Sequence, residues 1–157
     1  IMNGGKIIQV GTPGQVYEYP ETRFTADFIG SVNLLDDVKI ISRTAGLMRV
    51  KSMQLKSEFD IIATSWAAIG NNISLAIRPE KLFISEKKTN NTIAEATVVA
   101  RSYQGNFTFY DLKLSSGYYL RTSEQNPTRL KGDDYAHDIG TKLFVWTQPE
   151  NFIALKS

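Results

Sequence analysis

One repeated spacing limits the fold of this chain more than any other feature. "IGNNISLAIRPEKLFIS" begins at Ile69 and "IGTKLFVWTQPENFIAL" at Ile139. In each, eight residues separate a glycine from a Pro-Glu pair, and an apolar stretch follows. Proline has no N–H to give to a strand ladder, so each pair marks a strand that stops and resumes in a new direction. Upstream, Gly46 and Gly117 read as corresponding turns, each before a strand. The expectation is two related β-halves that close on each other.

The residues between agree. Val38 and Ile40, then Leu47 and Val50 around "RTAG", predict a hairpin. Ile73, Leu75 and Ile77 alternate strictly, as do Leu143, Val145 and Thr147. "IAEATVVARSYQGNFTFYDLKLSSGYYLRTS" reads as three strands joined at Gln104-Gly105 and at Ser115–Gly117. Many short strands with turns at short intervals argue for a mainly β protein, a small barrel or sandwich.

The first thirty residues follow different rules. Lys6–Val10 is a short apolar run after two glycines and predicts a strand of Ile7, Ile8 and Val10. Thr12, Pro13 and Gln15 form a helix start, with Thr12 as cap, Pro13 at the first helical position and Gln15 reaching back. Pro20 resets that helix. Phe24 and Phe28 share a face of the next one, and Gly30 closes it in the left-handed conformation. Val16, Phe24 and Phe28 are expected to pack on a larger body, because such short helices cannot bury an apolar face alone. The chain opens on Ile1 and is read as part of something longer.

Candidate chemistry is sparse. With no cysteine, disulfides and thiolate catalysis are excluded. The formal net charge is +2 with the signs interspersed, which gives neither a nucleic-acid tail nor a polybasic membrane patch. There is no phosphate-cradling G-x-x-x-x-G-K-[ST] loop. His137 is the only histidine and reads as a solvated loop residue. Asp133, Asp134 and Asp138 beside it lack the spacing of a calcium loop. Tyr103, Phe107, Phe109, Tyr110, Tyr118 and Tyr119, with Arg101, Lys113 and Arg121, could be a stacking platform for single-stranded nucleic acid. They equally form core plus cross-strand pairs, which is the preferred reading because both strand faces carry aromatics. An organic-cation cage, using a tyrosine or Trp146 with Asp111 or Glu124, is a third reading.

The opening residues resemble the end of the nucleotide-binding domain of ABC importer ATPases. There a strand "M-x-x-G-x-[IV]-x-Q-x-G" precedes "P-x-x-[IV]-Y-x-x-P" and "F-[IV]-A-x-F-[IL]-G". This chain has Met2, Gly5, Gln9, Gly11, Pro13, Val16, Tyr17, Pro20, Ala26, Phe28 and Gly30 in those places. Thr25 departs, where Val or Ala is common. "LAIRPEKL", with Arg78, Pro79 and Glu80, and the segment Tyr103–Asn126 resemble the TOBE domain that follows in these ATPases. Gln104 and Asn106 depart from its commonest residues. The segment Glu124–Leu155 is most similar to putrescine and spermidine import subunits.

The resemblance implies an OB-like TOBE β-barrel over 31–157, preceded by the end of a nucleotide-binding domain over 1–30. It implies a non-catalytic regulatory and dimerisation role in an importer ATPase, most similar to those for polyamines. ATP and magnesium would be used by the longer protein, whose phosphate-loop, signature and switch motifs match no position here. The implied partners are a second ATPase subunit and the membrane-spanning permeases, at the cytoplasmic face of the bacterial inner membrane. Neither nucleic-acid binding nor direct membrane insertion is implied. Gly11, Pro13, Tyr17, Pro20, Phe28, Gly30, Arg78, Pro79 and Glu80 are implied as structural positions, with no catalytic, cofactor or metal residue among them.

Overall fold

A computed structural model describes residues 1–126, 128 and 135–156. In chain order these form a small hairpin, a helix pair and ten further strands. The hairpin is β1 (Met2–Asn3) and β2 (Lys6–Ile7). The helices are α1 (Pro13–Glu18) and α2 (Arg23–Ile29). The first β-half holds β3 (Asn33–Thr44), β4 (Leu47–Ser52), β5 (Ser57–Ile62), β6 (Asn72–Ile77) and β7 (Phe83–Ser85). The second holds β8 (Thr92–Gln104), β9 (Phe107–Leu114), β10 (Tyr119–Gln125), β11 (Lys142–Trp146) and β12 (Ile153–Leu155).

The two halves exchange their last strands. One sheet runs β12-β6-β3-β4-β5 and the other β7-β11-β8-β9-β10. Each half thus contributes four strands to its own sheet and the fifth to the other. The exchange happens at the Pro-Glu pairs. Pro79 and Pro149 each begin a single 3-10 turn, Pro79–Lys81 and Pro149–Asn151, directly after a strand. Proline suits the first position of such a turn, where its missing N–H costs nothing.

Backbone bonds repeat as well. Ile40 N–H donates to Asn71 O at 3.0 Å and Gly70 N–H to Ile40 O at 2.9 Å. In the second half Val98 N–H donates to Thr141 O at 3.0 Å and Gly140 N–H to Val98 O at 2.8 Å. Gly70 and Gly140 have φ of 89° and 92°, a left-handed conformation that selects glycine. The upstream pairing of glycines needs correction. Strand order makes Gly46 the counterpart of Gly105, each opening the first hairpin of its half. The turn at Gly117 corresponds to the β4–β5 turn, where Lys56 takes the positive φ.

The core lies between the sheets. Leu35, Ile40, Met48, Val50 and Leu75 from the first half meet Val98, Tyr110, Leu112, Leu143 and Val145 from the second. The paired strands do not join into one closed ring, so the barrel is two packed five-stranded sheets. On the outer side of β6 and β12, Ala76 and Leu155 pack with Ala26 of α2 in a separate small cluster. The face of α2 that docks is therefore Thr25 and Ala26, both fully buried. Phe24 and Phe28 stack on each other at 5.6 Å, and Phe28 stays 66% exposed. Thr25 and Ala26, rather than the two phenylalanines, meet the β body of this chain, because small residues allow the closer helix-on-sheet approach. The Lys6–Val10 strand is likewise shorter than expected: it pairs only through Lys6 and Ile7, and Ile7 and Val10 are exposed.

Exchange of strands makes each sheet depend on the other half. We expect Trp66, in the loop after β5, and Trp146, in β11, to report the same denaturant midpoint in Trp146→Phe and Trp66→Phe backgrounds respectively. Leu155→Ala should lower both midpoints together, by about 2–4 kcal/mol of stability. Two separate transitions would contradict a single cooperative body.

Candidate functional site

The family-like positions that the sequence separates by some sixty residues converge on one side chain. Arg78 follows β6 and is 2% exposed. Its Nη1 donates to the carbonyl oxygens of Ala26 (3.0 Å), Gly30 (3.0 Å) and Ser31 (3.2 Å), and Nη2 donates to that of Tyr17 at 3.3 Å. Ala26 and Gly30 belong to the C-terminal end of α2, where unpaired carbonyls carry partial negative charge. The guanidinium also lies over the Tyr17 ring, 4.3 Å from its centroid. The buried cation is thus met by carbonyls and a π-face. Nε of Arg78 is buried without a partner among the described residues.

Glu80 completes the junction from the following turn. The Tyr17 hydroxyl donates to Glu80 Oε1. Burial first, then that hydrogen bond, push the Tyr17 hydroxyl up to about 12. Beside it Lys81 Nζ sits 3.6 Å from Glu18 Oε2. The Arg78-Pro79-Glu80 turn therefore grips α1 and α2 from the β body.

Each of the other implied positions has a local reason. Gly11 admits the first turn of α1: a Cβ there would lie 3.2 Å from Val16 Cγ2. Thr12 and Gln15 make the expected capping box, with Pro13 at the helix start. Pro20 is buried in the link between the helices. Gly30 corrects the expectation of a left-handed cap. Its φ of 167° is extended, and its carbonyl is spent on Arg78. Phe28 points away from the junction. Thr25 is accommodated because its Oγ1 accepts a hydrogen bond from Thr22 Oγ1 at 3.2 Å.

Two contributors were not singled out by sequence. Gln9, 8% exposed, donates to Tyr19 O at 2.9 Å and accepts from Glu21 N–H at 3.0 Å, fixing the link between α1 and α2. Asn33 donates to Ile77 O and Arg121 O and accepts from Arg121 N–H at 2.7 Å, tying the two sheets where β3 begins. The only available signal for Gln9 was its place in the resemblance; Asn33 had none.

The alternative chemistries are not assembled. His137 corrects the solvated-loop reading. Its Nε2 lies 3.2 Å from Glu124, and its ring meets the buried Tyr110 edge-on. Asp138 accepts from Arg101 at 3.1 Å, while Asp133 and Asp134 lie outside the described residues. Among the described residues no group of three or more His, Cys, Asp or Glu could hold a metal. Tyr103, Phe107 and Tyr119 are exposed on the outer sheet face, but Arg121 is bound to Asp111 at 2.7 Å and Arg101 to Asp138. Trp146 packs on Phe83, and the two carboxylates of the cage reading, Asp111 and Glu124, are paired with Arg121 and His137.

Two exchanged β-halves, with a helix pair gripped by an Arg-Pro-Glu turn, define the chain as a two-sheet β domain carrying a docked helical segment. The chain belongs to the TOBE domain family, whose pattern matches residues 75–155. It is 34% identical over 131 residues to the putrescine transport ATP-binding protein PotG of Escherichia coli, covering 82% of this chain and 34% of that protein. It is 34% identical to the spermidine/putrescine import ATP-binding protein PotA of Rubrobacter xylanophilus, over 80% of this chain and 33% of that one. For the Thermotoga maritima protein of the same name the identity is 28%, over 98% and 42%. The chain thus spans about a third of the length of the first two of these relatives and somewhat more of the third. The cytoplasmic molybdate-binding protein ModG, solved with molybdate bound, shares the fold at a TM-score of 0.61 and 11% identity, over 78% of this chain and 94% of that one.

Two substitutions test the site. Arg78→Met would leave several buried carbonyls unpaired and should cost about 3 kcal/mol in denaturant unfolding. Arg78→Lys should recover only part, because one ammonium cannot reach both helices. A wild-type midpoint in Arg78→Met would refute the junction.

The hydrogen bond that His137 donates to the Glu124 carboxylate raises the His137 pKa against the opposing effect of burial. A raised pKa means the pair stabilises the fold fully below the unfolded value of about 6.5 and loses that effect as pH rises through the folded value. Glu124→Gln should therefore be less stable than wild type by about 1 kcal/mol at about pH 5.5 and nearly equal to it at about pH 8.5. An unchanging gap would refute the charged pair.

Proposed function

We propose that this chain is the C-terminal regulatory part of the ATP-hydrolysing subunit of an ABC importer for polyamines. In this reading residues 1–30 are the end of a nucleotide-binding domain and residues 31–157 the regulatory β domain. The observation that carries the reading is the Arg78 junction. A buried, multiply bonded cation fixes the helix pair to the β body, so the two move as one piece. That is the coupling a regulatory domain needs if events at a distant ATP site are to be felt here, or the reverse. The relatives named for putrescine and spermidine import support the polyamine assignment.

ATP and magnesium chemistry belongs, in this reading, to the part of the longer protein outside this chain. A second copy of the subunit and the membrane-spanning permeases are the partners, at the cytoplasmic face of the inner membrane. The chain's own residues supply position, not catalysis. No helix among the described residues is long and apolar enough to cross a membrane.

The test has two arms. Cells lacking the gene that encodes this chain should lose uptake of labelled putrescine or spermidine and regain it with the wild-type gene. Unchanged polyamine uptake with loss of a sugar's uptake would overturn the substrate assignment. Titration of magnesium-ATP into the purified chain should give no saturable heat. Micromolar, magnesium-dependent binding would overturn the non-catalytic reading.

A further inference from the structure

The repeat puts two arginines in equivalent places. Ile40 in β3 and Val98 in β8 are counterparts, each at a bulge, and Arg43 and Arg101 stand at the same distance beyond them. Each arginine braces the loop before the fourth strand of its half. Arg43 Nη2 donates to Thr64 O at 2.6 Å and Ala67 O at 2.8 Å, and Arg101 Nη1 donates to His137 O at 3.5 Å. Ala67 and His137 lie equally far ahead of the left-handed glycines Gly70 and Gly140, so the same carbonyl is taken in both halves.

What surrounds that carbonyl differs. In the first half the neighbours have no proton to lose. Ala67 is buried, Met48 lies opposite Arg43, and Ala63 follows Ile61, the partner of Met48 on β5. In the second half the same three places hold His137, Tyr110 and Glu124. His137 Nε2 is 3.2 Å from the Glu124 carboxylate, and the two side chains are only 18% and 31% exposed. The imidazole stands edge-on to the buried Tyr110 ring, 5.3 Å between centroids. Arg101 also pairs with Asp138 at 3.1 Å and lies 4.1 Å over the Tyr135 ring. Among the described residues the charged and titratable groups facing His137 are therefore Glu124 on β10, Tyr110 on β9, Arg101 on β8, and Tyr135 and Asp138 on its own loop, with Glu86 after β7 adding a weaker attraction.

The loop is thus held by one cation that never titrates and one that does. A charged imidazole binds the carboxylate through a charge-assisted bond, and a neutral one keeps only a weaker hydrogen bond. We propose that Tyr135–Asp138 is a proton-operated clasp, closed over Tyr110 when His137 is charged and loosened when it is neutral, whereas the matching loop braced by Arg43 does not respond to pH. Closure and proton uptake favour each other by the same factor. The raised pKa of His137, due first to its bond to Glu124, is the other side of that linkage. The sign follows: the clasp is fully closed below the unfolded value of about 6.5 and loosens as pH rises through the folded value. The clasp is independent of the importer assignment.

The chain has no cysteine, so one nitroxide label can be placed by Ala136→Cys beside the clasp or by Ala68→Cys in the matching loop, both exposed positions. Electron paramagnetic resonance reads the ratio of mobile to immobile label between about pH 5.5 and about pH 8.5. NMR of the single histidine in the unlabelled chain follows its charge. At position 136 the ratio should rise about fivefold along the histidine titration, and at position 68 it should stay constant. Glu124→Gln should lower the histidine midpoint and shrink the rise. His137→Gln should leave position 136 mobile at every pH, with circular dichroism checking that each variant is folded. A constant ratio at position 136, an equal rise at position 68, or a rise that persists in His137→Gln would overturn the proposal. So would a histidine midpoint in the unlabelled chain at or below about 6.5.

Discussion

A charged guanidinium taken out of water is costly, and it is tolerated only where its donors are met. In this chain the whole relation between the helices and the strands turns on meeting that demand for Arg78. Its terminal nitrogens gather carbonyls from α1, the end of α2 and the segment after it. Each of those carbonyls would otherwise be an unpaired acceptor at a helix end. The cation and the helix ends thus solve each other's problem. Two helices of six and seven residues, too short to persist alone, are held in place by it.

The internal symmetry makes this site easier to understand. Strand order, the two 3-10 turns and the glycines at 70 and 140 repeat across the halves. The repeat breaks at the residue before the proline. Gln148 stands where the first half has Arg78, and it is exposed, its Oε1 accepting from Asn91 at 2.8 Å. Among the described residues no helix pair is packed on that turn. The same β architecture therefore carries a docked helical module on one half and an open surface on the other, and a single side-chain difference marks the change.

Much of this was legible in the sequence because it rests on local rules. Alternation at Ile73, Leu75 and Ile77, the proline after each such strand, and the Thr12–Gln15 cap all follow from backbone chemistry acting within a few residues. The Arg78-Pro79-Glu80 turn was recognisable only through resemblance, and its role was not. Nothing local tells a buried arginine from an exposed one, and its acceptors lie some fifty to sixty residues away. Phe24 and Phe28 mark a helix face by hydrophobicity, but close docking on the β body of this chain selected Thr25 and Ala26 instead. Gly30 looked like a left-handed cap, yet its carbonyl was needed by Arg78 and the backbone is extended. His137 looked solvated because Glu124 and Tyr110 reach it only through the tertiary fold.

The account stands on Arg78 holding the helices to the β body. Amide hydrogen exchange of the Arg78→Met chain measures that directly, residue by residue, because local opening is reported separately from global unfolding. The account expects the amides of α1 and α2, Ala26 above all, to lose protection far more than those of β8 and β9. Protection of the helices unchanged from wild type, or lost equally throughout both sheets, would contradict it.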